Sequence, residues 1–123
     1  MKISVVTICY NSRLFIEKTI LSVINQSYED LEYIVVDGGS TDGTLDVIHK
    51  YSNRITKWIS EKDEGIYNAM NKALDIITGD WVIFMNSGDC FYRYDVLSNI
   101  DFLKYSEASC CGVIYGNGIS LYR

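Results

Sequence analysis

Short apolar runs rich in β-branched residues recur along this chain, and each gives way to turn-forming polar residues and then to a segment with helical spacing. Ile3-Ser4-Val5-Val6-Thr7-Ile8 has the composition of a strand buried on both faces and stops at Tyr10-Asn11-Ser12. Ser12 is placed to cap a helix carrying Ile16, Ile20, Val23 and Ile24, which Asn25-Gln26-Ser27 closes. A second strand is expected at Tyr33-Ile34-Val35-Val36, followed by the turn residues Asp37-Gly38-Gly39-Ser40-Thr41-Asp42-Gly43 and a helix from about Thr44 to Tyr51, capped by Asp42. The pattern then predicts a strand near Lys57-Trp58-Ile59 and a helix from about Gly65 to Ile77, with Asp63 as its cap and Gly79 as its terminator. A fourth strand follows at Trp81-Val82-Ile83-Phe84-Met85, then a helix through Val96 to Leu103 and a last strand at Val113-Ile114-Tyr115. Strands and helices alternating at these lengths predict an α/β domain, with a mainly parallel sheet and helices on both faces.

The 123 residues, 48% of them hydrophobic, suffice for one core, so residues 1–123 read as a single domain. Charged residues make up 22% and interrupt the apolar runs, which excludes a disordered chain and a membrane-spanning helix. The apolar start is too short for a signal peptide, and the expected location is the cytoplasm, including the inner face of its membrane. The net charge is −5 and the 11 basic residues are scattered, so nucleic acid is not an expected partner. Cys9, Cys90, Cys110 and Cys111 form no CxxC pair, and the one histidine, His49, is remote from them in sequence, which argues against zinc.

In an open parallel sheet the ligand lies beyond the carboxyl ends of the strands. There this chain collects Thr7 to Asn11, Asp37 to Ser40, Ser60 to Glu64 and Asn86 to Asp89. A nucleoside needs an aromatic surface for its base and a carboxylate for its ribose diol, and its phosphates need a cation in an acidic protein. Tyr10, Asp37 and Asp89 answer these needs, with Asp89 as the ligand of magnesium or manganese.

Four blocks carry a family resemblance: Ile3 to Asn11, Val35-Val36-Asp37-Gly38-Gly39-Ser40-Thr41-Asp42-Gly43-Thr44, Glu64-Gly65-Ile66-Tyr67-Asn68-Ala69-Met70-Asn71-Lys72, and Gly79 to Asp89. In order and spacing they resemble family 2 glycosyltransferases of GT-A fold, especially those that assemble bacterial capsule, exopolysaccharide or lipopolysaccharide sugars. The resemblance implies that Thr7, Tyr10 and Asn11 line the base and ribose, that Asp37 hydrogen-bonds one of them, and that Asp63 lies near the base. It places Ser87 and Gly88 at the nucleotide and Asp89 at the metal. Asn86 and Gly88 stand where the family commonly has carboxylates. The implied activity is transfer of a sugar from a nucleotide-sugar donor, expected to be a UDP-sugar, to a saccharide or lipid-linked acceptor hydroxyl. No residue matches the family's catalytic base, and the chain resembles only the donor-binding, N-terminal part.

Each candidate also has a plain structural role: Asp42 as a cap, Asp63 as cap or ligand, Asp37 and Asp89 as turn residues, Tyr10 as packing. No G-x-G-x-x-G follows the first strand and no P-loop is present, which disfavours dinucleotide oxidoreductases and P-loop nucleotidases. The remaining rival is a non-catalytic nucleotide-binding or assembly module. A sheet edge around residues 113–121 suggests a homodimer.

Overall fold

The computed structural model describes residues 1–100. The two central strands, β1 (Ile3–Cys9) and β2 (Leu31–Asp37), are apolar on both sides, and all of β1 and all but Leu31 of β2 are buried. They pair in parallel from Ile3 opposite Leu31 to Cys9 opposite Asp37. β3 (Lys57–Ser60) adds outside β2 and β4 (Trp81–Phe84) outside β1, giving a parallel sheet of order β3-β2-β1-β4.

From β1 the chain steps outward to β2 and β3 through α1 (Ile16–Ile24) and α2 (Thr44–Lys50), and then α3 (Ile66–Leu74) carries it back past β1 to β4. Right-handed crossovers place helices on opposite faces once the direction of travel reverses. Accordingly Ile16, Ile20 and Val23 of α1 and Ile48 of α2 pack with Ile3, Val5, Tyr33 and Val35 on one face. On the other face Ala69 and Ala73 of α3 pack with Val6, Ile8, Ile34 and Val36. The alternation of β1 and β2 side chains between these two clusters follows the two-residue period of a strand. The expected α/β class, with helices on both faces, is what the chain adopts.

A buried carboxylate pins each end of the sheet. At the amino end, Glu32 accepts hydrogen bonds from Ser4 Oγ (2.6 Å) and from the Thr78 N–H (2.8 Å) and hydroxyl (3.0 Å). Burial pushes its pKa up, but these donors outweigh that and hold it below the usual carboxylate range. Gly79 belongs to the same knot, since its N–H donates to Ser4 Oγ at 2.9 Å. At the carboxyl end Asp37, fully buried, accepts from the N–H groups of Gly39 (3.1 Å) and Ser40 (2.9 Å) and the hydroxyl of Ser60 (2.8 Å). The Ser40 hydroxyl and the Cys9 thiol complete the set. Burial again acts upward on its pKa, and the donors, led by Ser40, bring it below the usual range. The Cys9 thiol is driven the other way, by burial and then by the Asp37 charge, so it stays protonated and donates.

Several local expectations are corrected. Ser12 does not cap α1, whose N-cap is Phe15; the Ser12 carbonyl instead accepts from the N–H groups of Phe15 and Ile16 in a tight turn. Gly79 does not terminate α3, which ends at Leu74. Glycine is required there by close approach, because a Cβ on Gly79 would lie 2.5 Å from Ser4 Oγ and 2.7 Å from Ser4 N. The helix expected from Val96 is only a 3-10 turn, Leu97–Asn99, before the backbone extends at Ile100. The strand at 113–115, the edge invoked for a homodimer, and Cys110 and Cys111 lie outside the described residues. Asp42 and Asp63 are not the N-caps of α2 and α3, which are Gly43 and Gly65; the two aspartates lie ahead of these and accept from the N–H groups of Thr44 (3.0 Å) and Gly65 (3.1 Å).

Gly79→Ala is expected to destabilise the domain by roughly 2–3 kcal/mol through overpacking against β1 backbone, as read from the midpoint of urea unfolding. Because the folded-state pKa of Asp37 is depressed, its contribution is fully present above the unfolded value of about 4 and disappears as pH falls through the folded value. Asp37→Asn should therefore cost about 3 kcal/mol at neutral pH and flatten the acid limb of a stability profile measured from pH 7 to pH 2.

Candidate functional site

Reversal of the chain between β1 and β4 leaves a gap at the carboxyl ends of these strands, where no crossover fills the space. An open crevice of about 360 Å³ lies there, lined by Ile8, Cys9, Tyr10 and Ser12 after β1, by Asp63, Gly65 and Ile66 at the entry to α3, and by Asn86 and Ser87 after β4. The β4 wall stays in register beyond the strand, since the N–H groups of Met85 and Ser87 donate to the carbonyls of Val6 and Ile8.

Of the residues singled out from sequence, Tyr10, Asp63 and Ser87 line this crevice. Tyr10 is 62% exposed, so its ring is available to a ligand. Gly88 continues the β4 turn with φ +99° and donates its N–H to Thr19 Oγ1 at 2.9 Å, and Asp89 follows, exposed to solvent. Asn11, with φ +46°, is occupied as a clasp: its N–H donates to Ser40 Oγ (2.7 Å) and its side-chain carbonyl accepts from the Thr41 N–H (2.9 Å).

Thr7 and Asp37 do not reach the crevice surface. Thr7 is fully buried, and its hydroxyl shares a 2.7 Å hydrogen bond with that of Tyr33 inside the core. Asp37 is engaged by the donors described above and supports the rim from beneath. The paired residues Cys9 and Asp37 nevertheless set the β2 loop beside the β1 loop, so the carboxyl ends of all four strands share one rim. Ser12, Gly65 and Ile66 were not named for the site, Asn86 was named only as a departure from the family's carboxylates, and Ser40 and Ser60 were not named for Asp37. Their signal was position alone, at the same strand ends and helix entries as the residues that were named.

Among the described residues Asp63 is the only charged side chain lining the crevice, and no basic group lines it. Nearby Lys72 is spent on Glu61 (3.0 Å) and on the Lys62 carbonyl (3.2 Å). Two buried polar atoms of the β4 wall, Asn86 Oδ1 and Ser87 Oγ, have no hydrogen-bond partner among the described residues. Buried polar atoms ordinarily find partners, so this wall is suited to a polar ligand. No group of three or more His, Cys, Asp or Glu side chains gathers among the described residues. Asp89 is not among the residues lining the crevice, and its exposed carboxylate, three residues past Asn86, suits a hard cation that brings most of its ligands with a diphosphate rather than a preformed all-protein metal cage. Among the described residues no helix is long and apolar enough to cross a membrane.

Comparison with known proteins agrees with this geometry. The family model described as Glycosyl transferase family 2 matches residues 4–123. A Bacillus subtilis glycosyltransferase named for teichuronic acid biosynthesis, TuaG, is 38% identical over 111 residues, or 88% of this chain and 43% of the relative. S. aureus TarS (residues 1–349) in complex with UDP superposes with a TM-score of 0.73 at 30% identity, over 88% of this chain and 32% of that one. A mannosyltransferase from Pyrobaculum calidifontis in complex with GDP-Man and Mn2+ superposes with a TM-score of 0.74 at 28% identity, over 80% of this chain and 30% of that one. This chain thus spans less than half the length of these relatives. A family match over almost every residue, relatives that are named glycosyltransferases, and a parallel sheet with its crevice at the chain reversal together establish that the chain belongs to glycosyl transferase family 2, as an α/β domain of GT-A type.

Proposed function

We propose that the crevice holds a nucleotide-sugar donor, a UDP-sugar, together with magnesium or manganese, and that the whole protein transfers the sugar to a saccharide or lipid-linked acceptor hydroxyl in polysaccharide or glycolipid biosynthesis. The observation that carries this reading is the polarity of the crevice: an exposed tyrosine and a carboxylate at one side, and at the other two buried polar atoms that have no partner among the described residues, with the exposed Asp89 following in the chain. Tyr10 and Asp63 form the nucleoside side. Asn86, Ser87, Gly88 and Asp89 form the diphosphate side. Thr7, Asn11 and Asp37 keep the wall between them in shape. The complexes of TarS with UDP and of the Pyrobaculum enzyme with GDP-Man and Mn2+ support this by similarity.

A divalent cation bound with the donor would neutralise charge on the departing diphosphate. The chain's own residues orient the donor: Tyr10 offers a face for the base, and the β4 wall offers Ser87 Oγ and Asn86 Oδ1 to the polar end. Displacement at the sugar also requires a base for the acceptor hydroxyl, and no described residue is matched to that role.

Titration calorimetry with UDP, with and without Mn2+, tests the assignment. Mn2+ is expected to strengthen UDP binding at least about tenfold, and Asp89→Ala to abolish that gain while leaving metal-free UDP binding unchanged. Retention of the full metal effect in Asp89→Ala would remove Asp89 from the site. Tyr10→Ala, at an exposed position, should weaken UDP about tenfold through lost stacking without altering the melting temperature. An unchanged UDP affinity would return Tyr10 to the role of a surface residue.

A further inference from the structure

Thr19 is a polar residue on the buried face of α1. It shares that face with Ile16, Ile20 and Val23, and all four are buried. A valine of the same shape would suit such a place better than a threonine unless the hydroxyl has a partner. The partner lies across the fold: Thr19 Oγ1 accepts from the Gly88 N–H at 2.9 Å. Three residues on, along the same side of the helix, the arrangement repeats. Ser22 Oγ donates to the Thr19 carbonyl at 2.8 Å and accepts from the Phe91 N–H at 3.2 Å. Gln26 extends the series, its Oε1 accepting from the Leu97 N–H (3.2 Å) and its Nε2 donating to the Arg93 carbonyl (2.6 Å).

The segment held in this way has left the sheet. Among the described residues the backbone bonds from the β4 side to β1 end with the Ser87 N–H on the Ile8 carbonyl. Residues 86–89 then make a tight turn, closed by the Asp89 N–H on the Asn86 carbonyl (3.0 Å), with Gly88 in the left-handed region at φ +99°. That turn sets Asp89 relative to Asn86, and the hydroxyls of α1 set it relative to the rest of the domain. Gly88 precedes Asp89 and Phe91 comes two residues after it. The exposed carboxylate of Asp89 thus stands on a short stretch of backbone gripped at both ends from one side of α1.

We propose that Thr19 is a positioning residue for the cation that accompanies the donor: its hydroxyl, with that of Ser22, holds the backbone around Asp89 so that the carboxylate meets a diphosphate-bound metal. The inference rests on the donor-site reading above and adds to it the groups that act through Asp89. A cation held by one protein carboxylate and a diphosphate depends on where that carboxylate stands, and the groups that orient a ligating side chain weigh on metal affinity accordingly. Thr19 itself lies in the core beneath the loop, out of reach of solvent.

Calorimetric titration of the full chain with UDP, with and without Mn2+, tests the assignment in two variants that remove different atoms. Thr19→Val keeps the branched shape and removes the acceptor. It should cut the strengthening of UDP binding by Mn2+ from at least about tenfold to no more than about twofold, with metal-free UDP affinity within about twofold of the parent. Thr19→Ser loses a core methyl group but keeps the hydroxyl, and should retain the Mn2+ effect within about twofold even where its melting temperature falls. A packing role predicts the reverse order, with valine harmless and serine harmful. Ser22→Ala, at a half-buried position, releases the Phe91 N–H, should reduce the same Mn2+ effect, and carries the comparison if Thr19→Val folds poorly. A full Mn2+ effect in Thr19→Val, or an equal loss with and without metal, overturns the positioning role while the donor site stands. A parent chain that binds no UDP, or binds it without any Mn2+ effect, overturns the donor-site reading and the inference with it.

Discussion

A carboxylate shut away from water must have its charge met by donors, because the desolvation it suffers exceeds what one hydrogen bond returns. Asp37 meets that condition by drawing five donors from three places: Cys9 at the end of β1, Ser60 at the end of β3, and the Gly39 and Ser40 segment of its own loop. To satisfy the charge, the ends of β1, β2 and β3 must come together in one arrangement. The β1 loop is then clasped to the β2 loop by further bonds, from Asn11 to Ser40 and Thr41, from the Ser12 N–H to Thr44 Oγ1, and from the Arg13 N–H to Asp42. The crevice wall that carries Tyr10 is thus built on a buried ion and hydrogen-bonded from both sides.

The part of the crevice lining at the entry to α3 is held more lightly. Glu64, Gly65, Ile66 and Tyr67 are all exposed, and a Cβ on Gly65 would meet nothing within 4 Å. The Asp63 carboxylate and the Asn68 side chain tie this entry turn to α3 through the N–H groups of Gly65 and Glu64. A stiff segment beside a lightly held one suits a site in which a ligand is positioned by the first and enclosed by the second. At the far end of the sheet Glu32 plays the part that Asp37 plays at the rim, drawing Ser4 and Thr78 together and forcing Gly79 against β1. The parallel register between these two knots is fixed at both ends by charge that must be satisfied and along its length by apolar burial on both faces.

The chemistry of the site follows from what this arrangement leaves unsatisfied. Asp37 and Thr7 have their partners inside the protein, whereas Asn86 Oδ1 and Ser87 Oγ, among the described residues, have none. Buried polar atoms without partners cost stability, and such costs concentrate where a ligand completes the bonding. With no basic side chain among the described residues lining the crevice, an anionic ligand is best met by a cation, which would link the Asp89 carboxylate after β4 to a diphosphate.

The sequence by itself determined the alternation of strands and helices, the α/β class, the family, and the collection of polar residues at the strand ends, because hydrophobic periodicity and turn chemistry act over neighbouring residues. It also placed Asp42 and Asp63 at the entries to α2 and α3, where each bonds an N–H two residues on, although the caps themselves are Gly43 and Gly65. Tertiary structure alone decided which polar groups face inward. Asp37 and Asp89 both follow apolar strands and look alike in the chain, yet one is enclosed by Ser40, Ser60 and Cys9 while the other is exposed. Gly79 likewise has the spacing of a helix terminator, and only the approach of Ser4, 75 residues away, gives its true reason. Donors brought from distant strands set the fate of a buried charge or a missing side chain, and local pattern carries no record of them.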